Sequence, residues 1–240
     1  MRYRRIPAIA LAIAASLLVA ACGSSNNTTT GTGGSSGGKS TLNGAGSTLA
    51  APIYQQWAST LSGQGVTLNY NPVGSGTGIA DLQSATVDFA GSDPALKPTD
   101  TAKMKGTALQ YPVAFGAITV SYNLSGVKSG IKLDGPTISK IFMGQITKWN
   151  DPAITALNSG MTLPSTAITV VHRSDSSGTT AGFTKFLAAT DPTWASQVGT
   201  DKEVKWPTGT GAAKNSGVAA ADVFESVGRM KLPEEFFTAA

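Results

Sequence analysis

The chain has 240 residues, 18 Lys+Arg against 14 Asp+Glu, a formal charge of +4, 13% charged and 41% hydrophobic residues, and 28 glycines. That apolar content excludes wholesale disorder and collagen-like repetition, and the sparse charge excludes the basic stripe of a nucleic-acid binder. Arg2, Arg4 and Arg5 supply most of the excess: without them the balance is 15 against 14.

Those arginines precede an apolar run from Ile6 to Ala21, too short to span a bilayer comfortably and shaped like an export signal. The run ends Val19-Ala-Ala-Cys22, small residues followed by the sole cysteine. It resembles a bacterial lipobox, which implies a signal peptide over 1–21 and lipidation at Cys22. The alternative is ordinary cleavage at an Ala-x-Ala-like site. One cysteine permits no intramolecular disulfide and no cysteine-rich zinc site. Residues 22–41 read as a flexible Gly/Ser/Thr tether. Within it, Gly33 to Ser40 matches the pattern G-x-x-x-x-G-K-[ST], but without the preceding buried strand that a phosphate-binding loop requires.

From about Leu42 short apolar runs alternate with amphipathic segments, as in an α/β protein. Thr48 to Leu61 is predicted helical, with Leu49, Ile53, Trp57 and Leu61 on one stripe. Val66 to Tyr70 is predicted as a strand, Gly78 to Ala85 as a helix and Val87 to Ala90 as a strand. A longer strand is expected over Val113 to Tyr122, a helix over Thr137 to Met143, a strand over Ala167 to His172 and a helix over Thr179 to Ala189. No internal repeat is evident.

Three turns share one chemistry: Gly44-Ala-Gly-Ser-Thr48, Gly74-Ser-Gly-Thr-Gly78 and Asp175-Ser-Ser-Gly-Thr-Thr180. Each combines Gly with hydroxyl residues and leads into a helix, where the first N–H groups lack intrahelical acceptors and the dipole favours an anion. Any one of them could be simple capping; three, joined by a basic residue, favour an anion site. Arg173 is that residue, at a strand end where its fork could grip an oxyanion, with Asp175 placed to orient it. His172, the single histidine, alternates to the opposite face and reads as structural. Asp93 has two readings. It could begin a turn before Pro94, or it could select a protonated oxyanion by accepting its hydrogen.

Gly44 to Tyr54, Val87-Asp-Phe-Ala-Gly-Ser-Asp93, Lys148-Trp149, Val171 to Thr179 and Val204-Lys-Trp-Pro-Thr-Gly209 together resemble the substrate-binding protein of the bacterial ABC phosphate-uptake system, the PstS family. The resemblance runs from about Leu42 to Ala220. It implies a two-lobed α/β clamshell of the type II periplasmic-binding-protein kind, with a first lobe over 42–113 and a partial second lobe over 114–220. It further implies phosphate held by Thr48, the N–H of Leu49, Ser75, Arg173, Ser177, Gly178 and Thr179, with Asp175 supporting Arg173. The position of Leu49 is usually Phe in that family. Asp93 would accept from the protonated phosphate oxygen and exclude sulfate. The resemblance carries with it an exported, lipid-anchored monomer that delivers phosphate to permease and ATPase subunits, with no enzyme activity, metal or cofactor.

Residues 221–240 depart from the family pattern. This suggests a fold incomplete at its C-terminus, by truncation or frameshift, with impaired folding or weak binding. The alternatives are a non-functional remnant, a binder of sulfate or molybdate, and a phosphatase or serine hydrolase using Ser75 or Ser177. A hydroxyl nucleophile needs a nearby base, and His172 is expected to point away.

Overall fold

The structure, a computed structural model, describes residues 40–127, 129–223 and 229–230. The signal peptide, Cys22, nearly all of the tether and most of the 221–240 tail lie outside the described residues. In chain order the elements are β1 (Ser40–Gly46), α1 (Ala51–Ser62), β2 (Val66–Pro72), α2 (Ser75–Ser84), β3 (Phe89–Gly91), α3 (Pro98–Thr101), β4 (Tyr122–Asn123), α4 (Gly135–Phe142) and α5 (Pro152–Leu157). They continue with β5 (Val171–Arg173), α6 (Gly178–Thr190), α7 (Pro192–Gln197), β6 (Thr210–Ala212), α8 (Lys214–Val223) and β7 (Arg229–Met230).

β1 is the centre of a parallel three-stranded sheet of order β2-β1-β3. Its sequence, STLNGAG, is poor in strand-favouring residues, and sequence reading placed its first two residues in the tether. Pairing on both sides overrides that weak propensity: Ser40 to Gly46 lie opposite Val66 to Pro72, and Gly44 to Gly46 opposite Phe89 to Gly91. The small residues at its end let the neighbours close in. A Cβ at Gly46, whose φ is +139°, would lie 2.1 Å from the carbonyl oxygen of Gly91.

α1 begins at Ala51, three residues later than expected. The Oγ of Ser47 accepts the N–H groups of Leu49 at 3.1 Å and Ala50 at 3.2 Å, holding a turn there, and Pro52 fits the first turn that follows. The buried face also differs from the expected stripe. Ala51 and Tyr54 are buried, whereas Trp57 is exposed. The sheet selects Tyr54, whose ring stacks on Tyr70 at 4.2 Å and lies 5.3 Å from Phe89.

The second apolar core is assembled from residues 120–206, around fully buried Trp149, Ile154, Leu187 and Trp194. Its helices start on side-chain caps that the sequence displays: Asp134 Oδ1 accepts from Thr137 N, Asp151 Oδ1 from Ala153 N and Asp191 Oδ1 from Thr193 N. β5 and β6 pair in parallel, with Arg173 opposite Ala212. Of the strand expected over Ala167 to His172, Ala167 makes only an isolated bridge to Lys148, and the ladder runs Val171–Arg173.

The strand expected over Val113 to Tyr122 is absent over 113–121. That stretch has no regular element, Phe115 is fully exposed, and only Tyr122 and Asn123 pair, antiparallel to β7. Apolar alternation is a local signal, but a strand exists only where a neighbour accepts and donates its ladder bonds. Two ion pairs tie residues 97–100 to 201–202: Lys97 to Asp201 at 3.1 Å and Lys202 to Asp100 at 3.6 Å.

Candidate functional site

The three Gly/Ser/Thr turns meet in space. In the first, Ser47 is fully buried, and its hydroxyl donates to Asp93 Oδ1 while accepting from Leu49 and Ala50. The Leu49 N–H, expected to face an anion, is therefore engaged by Ser47. Beside it the buried Oγ1 of Thr48 has no hydrogen-bond partner among the described residues.

The second turn starts α2. Gly74 takes φ +95°, a conformation open to glycine, and Ser75 is fully buried behind it. The Ser75 Oγ accepts from Asp93 N at 3.3 Å. The Gly76 N–H crosses to the Ser176 carbonyl at 3.0 Å, joining the second turn to the third.

The third turn is organised by Arg173, which is buried. Its Nε donates to Asp175 Oδ1 at 2.6 Å, its Nη2 to Asp175 Oδ2 and its Nη1 to Asn215 Oδ1. Ser177 caps α6, its Oγ accepting from Thr180 N at 3.4 Å. Gly178 then opens the helix so close to the other turns that a Cβ there would lie 2.5 Å from both Asp93 Oδ2 and Ser75 Oγ. The N–H groups of the first helical turn have no intrahelical acceptor. The buried Thr179 Oγ1, like that of Thr48, has no partner among the described residues.

Electrostatics follow the packing. Asp93 keeps an open face, but its carboxyl is crowded by the three turns. That burial pushes its pKa up, against the Ser47 hydroxyl, the Arg173 charge and Ser75, which pull it down. For Asp175 burial also pushes upward. Here the Arg173 hydrogen bonds, the Lys214 N–H and the Arg173 charge outweigh it, and the net direction is down. The Tyr70 phenol is pushed up by burial, Tyr54 and Asp93, so it stays neutral and donates to the Ser47 carbonyl at 2.9 Å.

A cavity of about 130 Å³ adjoins these groups, lined by Leu49, Arg173, Thr179 and Asn215 with an apolar wall that includes Phe183 and Trp206. His172 also borders this cavity. Its ring stacks on Trp206 at 4.6 Å and its Nδ1 lies 3.0 Å from the Arg173 carbonyl. Among the described residues no cluster of His, Cys, Asp and Glu is suited to a metal.

The structure thus brings Ser75, Asp93 and Gly178 into mutual contact and sets Leu49, Arg173 and Thr179 on one cavity. Ser177 serves as a helix cap, and Thr48 adjoins Ser47. Cys22 lies outside the described residues. Sequence reasoning missed Ser47 and Asn215. Ser47 stood inside a recognised turn, where the resemblance points to Thr48 and the N–H of Leu49 instead. Asn215 lies in the first turn of a helix, where an Asn by itself reads as ordinary capping.

A family model described as the PBP superfamily domain matches residues 26–229. The chain is 45% identical over 182 residues to the phosphate-binding protein PstS of Pasteurella multocida, covering 75% of this chain and 52% of that protein. It is 44% identical over 191 residues to the phosphate-binding protein PstS 3 of Mycobacterium tuberculosis, covering 77% and 51%. The chain therefore spans about half the length of the curated relatives it matches. Among solved structures, a candidate phosphate ABC transporter substrate-binding protein from Clostridium perfringens, with bound phosphate, superposes with a TM-score of 0.55 at 16% identity. It covers 79% of this chain and 70% of that one, a likeness of fold.

Proposed function

We propose that this chain, which belongs to the PBP superfamily and has its type II periplasmic-binding-protein fold, binds inorganic phosphate for delivery to an ABC importer. One observation carries the reading. Three helix-start turns converge beside a buried, oriented arginine, and two buried threonine hydroxyls on them, Thr48 and Thr179, have no partner among the described residues. Buried hydroxyls are normally hydrogen-bonded, so two orphans on the converging turns are explained by an oxyanion that accepts from both. The relatives named phosphate-binding protein support the same ligand.

In this reading Arg173 supplies charge. Ser75, Ser177 and Thr179 supply hydroxyl donors, and the N–H groups of Gly178 and Thr179 add the α6 dipole. Thr48 donates from the opposite side. Leu49 contributes through the turn that Ser47 holds, and its N–H reaches the ligand only if that turn rearranges on binding. Asp93 accepts the proton of mono- or dibasic phosphate and repels sulfate, which has none to offer at neutral pH. Residues 42–113 form the first lobe and 114–220 part of the second. The separate apolar core drawn from residues 120–206 supports that division. The protein acts as a binder rather than an enzyme, as an exported monomer anchored through Cys22 that hands phosphate to membrane permease and ATPase subunits.

Calorimetric titration of the chain with phosphate and, separately, sulfate tests this. Saturable phosphate binding with no sulfate signal is expected. Equal binding of both anions would overturn the role of Asp93, and binding of neither would overturn the function.

A further inference from the structure

Arg173 is gripped from two directions by chain segments far apart in sequence. Asp175 takes its Nε and Nη2, and Asn215 takes its Nη1. The remaining N–H groups on Nη1 and Nη2 stay available to a ligand. Asn215 is delivered there by the β5–β6 ladder. Arg173 pairs with Ala212, the Ser174 N–H donates to the Ala212 carbonyl at 3.0 Å, and α8 begins two residues later.

The first residue of α8 shows that this start is tightly determined. Lys214 takes φ +64°, a left-handed conformation seldom adopted by non-glycine residues, which persists only where its surroundings enforce it. In that conformation its N–H donates to Asp175 Oδ1 at 3.1 Å. Consecutive residues therefore hold the two halves of one ion pair: Lys214 the carboxylate, Asn215 the guanidinium.

The chemistry of the second grip matters. Asp175 already offsets much of the Arg173 charge, and another carboxylate at the same place would repel an incoming anion. An amide oxygen fixes the fork while adding no charge. An Asn that merely capped α8 would direct its oxygen to that helix's own N–H groups; this one is directed to the arginine.

We propose that Asn215 is the positioning residue of the anion-binding arginine, a neutral anchor that fixes the Arg173 guanidinium for the ligand without cancelling its charge. This rests on the phosphate-binding reading above.

The test compares phosphate titrations of the unsubstituted chain, Asn215→Ala and Asn215→Asp between about pH 5 and pH 8, where a surface carboxyl goes from largely to fully ionised. The charged and titratable groups around position 215 are Arg173, Asp175, His172 and Lys214, common to all three proteins, and phosphate ionises identically in each. Ratios of affinity at each pH therefore isolate the substitution. Asn215→Ala should bind roughly threefold to tenfold more weakly at every pH, the loss of one charge-assisted hydrogen bond's orienting effect. Asn215→Asp should fall at least about tenfold below Asn215→Ala throughout this range, because its carboxylate stays charged beside the incoming anion.

Nitrogen-15 spectra of the arginine side chains, assigned with Arg173→Lys, give a readout that does not depend on binding. The two Nη signals of Arg173 should be resolved in the unsubstituted chain and merged or broadened in Asn215→Ala. Equal affinities within about twofold, or equal losses in both variants at all pH values, would overturn the proposal. So would unchanged Nη spectra. Failure of the unsubstituted chain to bind phosphate would overturn the functional reading and this inference together, whereas normal binding with indifferent variants would overturn this inference alone.

Discussion

Gly178→Ala isolates the contact on which the site depends. A methyl group there would lie 2.5 Å from Asp93 Oδ2 and from Ser75 Oγ, and 2.6 Å from Asp93 Cβ. Favourable carbon contacts sit near 3.5–4.0 Å, so the start of α6 and the Asp93 loop must separate by about 1 Å. Overpacking of this kind costs about 1–3 kcal/mol, which on binding is roughly a fivefold to hundredfold loss of affinity. Gly178 is the first residue of α6 and is not among the glycines with positive φ, so alanine adds no backbone strain there. Alanine is also the better helix former by about 0.5–1 kcal/mol. The two effects therefore separate by assay. Calorimetry should show weakened phosphate binding, while thermal unfolding without phosphate, where the proposed lobes would part and relieve the clash, should show an unchanged or raised midpoint. Wild-type affinity in Gly178→Ala would refute the claim that Asp93, Ser75 and the α6 start close together on the ligand.

Three further substitutions have expected outcomes. Asp93→Asn should admit sulfate, seen as a new saturable signal in calorimetry. Because burial raises the Asp93 pKa, its ionisation opposes folding as pH climbs above the ordinary carboxyl value of 3.8, so Asn should raise the unliganded melting midpoint at neutral pH and lose that advantage in acid. Asp175 has the opposite sign: its lowered pKa gives stability that is full above that ordinary value and lost as pH falls through the folded one, so Asp175→Asn should cost stability at neutral pH and little in acid. Gly78→Ala should lower the unfolding free energy by about 1–3 kcal/mol in denaturant titration, because its Cβ would sit 2.4 Å from Gly46 Cα and 2.7 Å from the Ala45 carbonyl oxygen, both backbone. An unchanged transition would contradict the packing of α2 on β1.

Much of this site was legible in the sequence because its chemistry is local. Gly, Ser and Thr before a helix carry donors whatever the rest of the chain does, and the spacing of Arg173 and Asp175 suffices to pair them. Pairing and facing were not legible, because both depend on residues distant in the chain. β1 exists through partners on either side despite its Gly-rich sequence. The expected strand over Val113 to Tyr122 shrank to Tyr122–Asn123, where β7 is the neighbour. The burial of Tyr54 in place of the Trp57 stripe was decided by the rings of Tyr70 and Phe89. Composition and motif therefore determined that this weakly charged chain carries neutral dipoles and one arginine suited to an anion. Only the tertiary structure decided that three turns, spread over more than a hundred residues, share one site, that Ser47 orients Asp93, and that Asn215 holds Arg173. Those are long-range contacts, set by strand register and core packing rather than by any local preference.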